Sequence, residues 1–159
     1  MKLGFIGTGK IASSVIKGIS NSNIKFKQII VSPRNRKIAN NLKKKFRKIH
    51  IAKNNQEVID KSSWIFLSVT PNVGMKIIKD LKFKKNQTVI SFISTINLAQ
   101  LKKMVKIKLN IVRAIPLPPI SLKKGPVPIC PPNKSVKSFF DKIGSTIQIK
   151  NEKLSQNFW

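Results

Sequence analysis

Gly7, Gly9 and Ala12 are spaced G-x-G-x-x-A, and their setting suits the pyrophosphate of a dinucleotide. A short apolar run over 3–6 leads into them, and Ile11, Val15, Ile16 and Ile19 follow at helical spacing. In such a strand–turn–helix unit Gly7 permits the tight turn, Gly9 lets the backbone approach the phosphates, and Ala12 lets the helix lie close to the strand. The phosphates would sit over the helix start, where free amides and the macrodipole favour negative charge.

A second chemical signal follows the next strand, expected over 28–31. NAD-binding chains usually place an acidic residue there for the ribose hydroxyls. This chain has no acidic residue before Glu57 and instead reads Ser32-Pro33-Arg34-Asn35-Arg36. Two arginine forks and a serine hydroxyl can take the extra phosphate of NADP, which a carboxylate would repel. That position at a strand end favours NADP(H) over the blander view of Arg34 and Arg36 as general basic surface. Other chemistry is sparse. One cysteine, Cys130, excludes an internal disulfide, and with one histidine, His50, it makes no metal-ligand cluster.

The remaining elements must hold these residues in place. The pattern predicts a helix over 38–46, with Ile38, Ala39, Leu42 and Phe46 on one side, and a strand over 49–52 in which His50 alternates with isoleucines. A helical turn over 54–61 carries Glu57 and Asp60. The apolar run 64–69 reads as a strand covered on both faces. Pro71 suits the first turn of a helix reaching Leu81. Strands over 88–93, 111–114 and 145–149, with helices capped by Asn97 and begun at Lys134, continue the alternation. The proline-crowded segment 115–132 is expected to be a rigid extended loop in which 127–130 is at most an edge strand, because proline has no N–H for a central ladder. Cys130 reads there as a small apolar filler. The alternation predicts an α/β fold with a doubly wound, mostly parallel sheet of Rossmann type. Segments 7–10, 32–36, 69–72, 94–95 and 115–118 then fall at the carboxyl ends of strands, where such sheets bind ligands.

At 159 residues and 41% hydrophobic, the chain suits one globular domain. No apolar run approaches a membrane span and no signal-peptide layout is present, so the expectation is a cytoplasmic protein with no membrane partner. The net charge of +27 would attract nucleic acid. Yet lysine is abundant together with isoleucine and asparagine, as an A+T-rich genome would produce, and the cations are spread along the chain without interleaved aromatics. We read the charge as compositional drift. In either case its field draws anionic ligands.

Taken in order, 4–12, Val31-Ser32-Pro33-Arg34-Asn35, Phe66-Leu67-Ser68-Val69-Thr70-Pro71 and Val112-Arg113-Ala114-Ile115-Pro116 resemble the coenzyme domain of pyrroline-5-carboxylate reductases. The resemblance implies NADPH-dependent hydride transfer to the C=N bond of a cyclic imine in proline biosynthesis. It implies that Gly7, Thr8, Gly9, Lys10 and Ile11 hold the pyrophosphate, and that Ser32, Arg34 and Asn35, with Arg36 beside them, hold the adenosine phosphate. Val69, Thr70 and Pro71 would line the adenosine side, and Ser94 and Pro116 the nicotinamide. Catalytic residues are left unassigned, since such chemistry asks the protein chiefly for orientation. Thr70 replaces a usual lysine, Ser94-Thr95 a usual Ala-Gly, and 115–119 a usual Met-Pro-Asn-Thr-Pro.

The expected organisation is an NADP-binding domain over 1–150 and, over 151–159, the start of a helical domain that dimerises and completes the substrate pocket. A homo-oligomer is expected once that domain is supplied, and Leu154, Phe158 and Trp159 would be apolar residues awaiting cover. Three uses follow: the coenzyme-binding part of an imine reductase, inactive alone; a non-catalytic NADP-binding or sensing module; and a basic nucleic-acid-binding protein.

Overall fold

Alternation of small clusters of β-branched residues with amphipathic stretches builds one sheet covered on both faces, over residues 1–155, which the computed structural model describes. The strands are β1 (Lys2–Ile6), β2 (Gln28–Val31), β3 (Ile49–Ile51), β4 (Trp64–Leu67), β5 (Thr88–Ser91), β6 (Asn110–Ala114), β7 (Pro126–Cys130) and β8 (Ser145–Gln148). The helices are α1 (Lys10–Ser20), α2 (Arg36–Lys45), α3 (Asn55–Asp60), α4 (Pro71–Ile77), α5 (Leu98–Val105), α6 (Lys134–Phe140) and α7 (Glu152–Ser155). Sheet order is β3-β2-β1-β4-β5-β6-β7-β8, parallel from β3 to β6. The order reverses between β1 and β4, which opens the crevice typical of doubly wound sheets.

Period-two alternation sends neighbouring residues of each strand to opposite cores. Leu3, Phe5, Ile29, Val31, Phe66, Ile90 and Val112 meet Val15, Ile16 and Ile19 of α1 and Phe139 and Phe140 of α6 on one face. Ile6, Ile30, Ile65, Leu67, Val89 and Ile111 meet Val58 and Ile59 of α3 and Leu101 and Val105 of α5 on the other. Phe5 stacks flat on Phe66 with centroids 4.5 Å apart, joining the two strands that flank the crevice. At α1, Gly18 is buried because the Ile120 carbonyl lies where its side chain would stand.

Several boundaries differ from expectation for local reasons. Helix α2 starts at Arg36, since the Asn35 side chain accepts the Ile38 N–H at 3.2 Å and caps it. The helix expected to run from Pro71 to Leu81 tightens into a 3₁₀ turn over Ile78–Asp80. The segment after β6 is not a continuous extended loop: Pro118–Leu122 is a 3₁₀ helix packed on α1.

The larger correction concerns β7. It is an internal strand, antiparallel to β6 and parallel to β8, and β8 forms the edge. Its prolines are tolerated because alternate residues serve different neighbours. Gly125 and Ile129 carbonyls accept from Ser145 and Ile149 on the β8 side, while Pro128 faces β6 and offers its carbonyl to the Ile115 N–H at 3.0 Å. The missing proline N–H therefore falls where only an acceptor is used. Cys130 is buried, as a filler should be. Leu154 is 61% exposed, and Phe158 and Trp159 lie outside the described residues. Among the described residues, no helix is long and apolar enough to cross a membrane.

Candidate functional site

The glycine turn closes β1 by a backbone shape that only glycine adopts easily. Gly7 has φ +98°, and a side chain there would fall on the Ser68 carbonyl. Its N–H donates to the Ser32 hydroxyl at 2.9 Å, which ties the turn to the end of β2. Gly9 is different. A Cβ there would meet nothing within 4 Å, so the space in front of it is open. Gly9 is also the N-cap of α1 and no side chain caps that helix, which leaves its first amides directed at the opening.

This opening belongs to a cleft of about 810 Å³ at the carboxyl ends of the strands. Gly7, Thr8 and Gly9 line it from the first turn, Ser32, Arg34, Asn35 and Arg36 from the end of β2, and Val69 and Thr70 from the end of β4. Three segments, each more than twenty residues from the next, are thus brought to one hollow that holds both the glycine turn and the arginines. No carboxylate lines it. Ser32 is buried and Arg34, Asn35 and Arg36 are exposed at the mouth. Lys10, Ile11 and Pro71 occupy the adjoining first helical turns but are not part of the lining. Ser94, exposed, and Pro116, buried, stand beyond the ends of β5 and β6, outside this cleft.

Sequence reasoning missed other lining residues. Asn55 opens α3, and Val73 and Ile77 share one side of α4. Val73 and Ile77 are one helical turn apart, a spacing that marks a shared helix side but not a cleft. Asn55 follows Asn54, whose side chain caps α3 by accepting the Glu57 N–H at 2.9 Å. Glu57 in turn accepts from the Lys53 N–H and pairs with Lys61 at 2.7 Å. These contacts, the Lys53 N–H first, hold its carboxyl down to about 2, with His50 adding a minor favourable charge. His50 lies 3.9 Å from Glu57 and takes no part in the cleft.

A second polar group stands by β6. Arg113, 4% exposed at its side chain, pairs through Nη1 with Glu152 Oε1 at 2.8 Å. Its Nη2 donates to the Ser94 carbonyl, and Glu152 Oε1 also accepts the Leu98 N–H at 2.8 Å. The neighbouring Cys130 thiol is pushed up by burial and by the Glu152 charge, with Arg113 opposing. It is therefore a poor nucleophile.

The lining combines the glycine turn at a helix start, two guanidinium groups and apolar Ile6, Val69, Val73 and Ile77, a set whose chemistry suits a phosphate-rich ligand. Comparisons with known proteins bear on the family and the fold. Over 129 residues the chain is 29% identical to pyrroline-5-carboxylate reductase 3 of Danio rerio, covering 79% of this chain and 44% of that protein. A solved 1-pyrroline-5-carboxylate reductase of Streptococcus pyogenes superimposes with TM-score 0.81 at 28% identity, over 96% of this chain and 59% of that one. A Plasmodium falciparum pyrroline carboxylate reductase, solved with NADP bound, matches in fold with TM-score 0.82 at 24% identity, over 98% and 60% of the two chains. The chain spans about half the length of the curated relatives it matches. Residues 2–95, which contain the glycine turn, the two arginines and every residue lining the cleft, match the family model described as NADP oxidoreductase coenzyme F420-dependent, and the chain belongs to that family.

Proposed function

We propose that residues 1–150 form the NADP(H)-binding domain of a reductase that transfers hydride to a cyclic imine of the pyrroline-5-carboxylate type. The observation that carries this reading is one cleft lined by both the Gly7–Gly9 turn and the Arg34–Arg36 segment, with no carboxylate in its lining. The open space in front of Gly9 fits a pyrophosphate, and the arginines fit a ribose phosphate. Bound there, the coenzyme would supply the hydride. The chain's own residues bind and orient it: first-turn amides of α1 hold the pyrophosphate, Arg34 and Arg36 the adenosine phosphate, and Val69, Val73 and Ile77 the apolar faces. Ser94 and Pro116 stand over the half of the sheet left for the nicotinamide, and completion of the substrate pocket falls to a helical domain following residue 150. The Danio rerio and Streptococcus pyogenes relatives support the imine substrate by their names.

Titration with NADPH and NADH tests this. NADPH is expected to bind at least about tenfold more tightly, and Arg34→Ala to erase most of that preference, as loss of charge-assisted bonds to a phosphate would. Equal affinities in the unaltered chain would overturn the assignment. Oxidation of NADPH with pyrroline-5-carboxylate, with and without an added helical domain from a relative, then separates a reductase from a module that only binds.

A further inference from the structure

One part-buried ion pair grips both ends of the loop between β5 and α5. Arg113 Nη2 holds the Ser94 carbonyl at its start. Glu152 Oε1 holds the Leu98 N–H at its end. The pair between them, 2.8 Å long, closes the ring. Between those anchors Ile96 is 2% exposed and fastens the middle to the core, while Asn97 and Gln100 cap each other at the helix start. Ser94 and Thr95 are consequently pressed outward, exposed, in a fixed shape. Burying an arginine side chain is costly, and here that cost is met at a short surface loop. Only five acidic residues exist in the chain, and one of them is used here.

The loop follows a strand of the second half of the sheet, β4-β5-β6. In doubly wound sheets of this order each half receives one nucleotide of a dinucleotide. The first half, with Gly9 and Arg34, faces the adenosine phosphate. We propose that Arg113 and Glu152 are positioning residues for the other nucleotide: by clamping the 94–98 loop at both ends they set the surface on which the nicotinamide end rests. This rests on the dinucleotide reading above and adds to it two residues, one of them in α7, that touch neither phosphate.

The test compares NADPH with 2′,5′-ADP, which carries only the adenosine half, on the full chain. Glu152→Gln keeps an acceptor for Leu98 but discharges the pair; Arg113→Lys keeps the charge but loses the fork. Each is expected to weaken NADPH about tenfold, and to dim or shift the emission of bound NADPH, while 2′,5′-ADP affinity stays within about twofold. Lys137→Met, which breaks an exposed pair with Asp141 on α6, is expected to change neither. Amide shifts of the unaltered chain give a second readout that does not depend on the variants folding: 94–98 should move with NADPH and not with 2′,5′-ADP. Unchanged NADPH affinity in both variants, a parallel loss of both ligands, or silent 94–98 amides would overturn the proposal. Failure of the unaltered chain to bind even 2′,5′-ADP would instead overturn the coenzyme reading on which it rests.

Discussion

Gly7 and Gly9 serve one turn by different means, and substitution separates them. At Gly7 the positive φ and the Ser68 carbonyl both exclude a side chain. Gly7→Ala is expected to cost a few kcal/mol of stability, read as a clear drop in Tm. At Gly9, φ is −66° and the space is empty, so alanine fits the fold. Gly9→Ala should leave Tm within a degree or two, yet weaken NADPH at least about tenfold because the new methyl occupies the phosphate's place. Calorimetry and titration on the two variants check both halves of the claim. Cys130, 1% exposed, should react with a thiol reagent only as fast as the chain unfolds, which a urea series would show. The cleft residues legible in the sequence were those whose chemistry is local to a strand end, such as Gly9 and Arg34. Asn55 and Glu152 were not legible, because only the folded sheet brings Asn55 to the cleft and Glu152 to Arg113 and Leu98.

At the scale of elements, caps and carboxylates give measurable handles. Asn97 accepts the Gln100 N–H and Gln100 returns the bond to the Asn97 N–H, so Asn97→Ala should cost about 1 kcal/mol in chemical denaturation. Glu57 titrates near 2 in the folded chain against an ordinary 4.5. A lowered folded value means its contribution is complete above the unfolded pKa and disappears as pH falls from about 4.5 through 2. Glu57→Gln should therefore be less stable than the unaltered chain at neutral pH, with the gap narrowing below about 4.5 and closing only below pH 2, as paired urea melts would show. The six parallel strands β1 to β6 were readable from their apolar runs and the helical spacings between them. β7 was misread because composition shows two prolines but not which neighbour each residue faces. Once Pro128 is seen to offer only a carbonyl to Ile115, the strand's central place follows.

For the whole molecule, +27 is a field as much as a composition. NADPH affinity should fall several-fold between about 50 and 500 mM salt, as screening shortens that field's reach. Duplex DNA binding that is strong and steeply salt-dependent in a chain unable to bind NADPH would favour the nucleic-acid use instead. The close seat of the Ile120 carbonyl on Gly18 has a mechanical consequence. The segment leading from β6 past Pro116 leans on the helix whose other end presents Gly9, so both banks of the crevice are carried by a single strut. Such a slot stands ready-made rather than snapping shut, and stopped-flow association should be one exponential whose rate climbs linearly with coenzyme concentration, without a plateau.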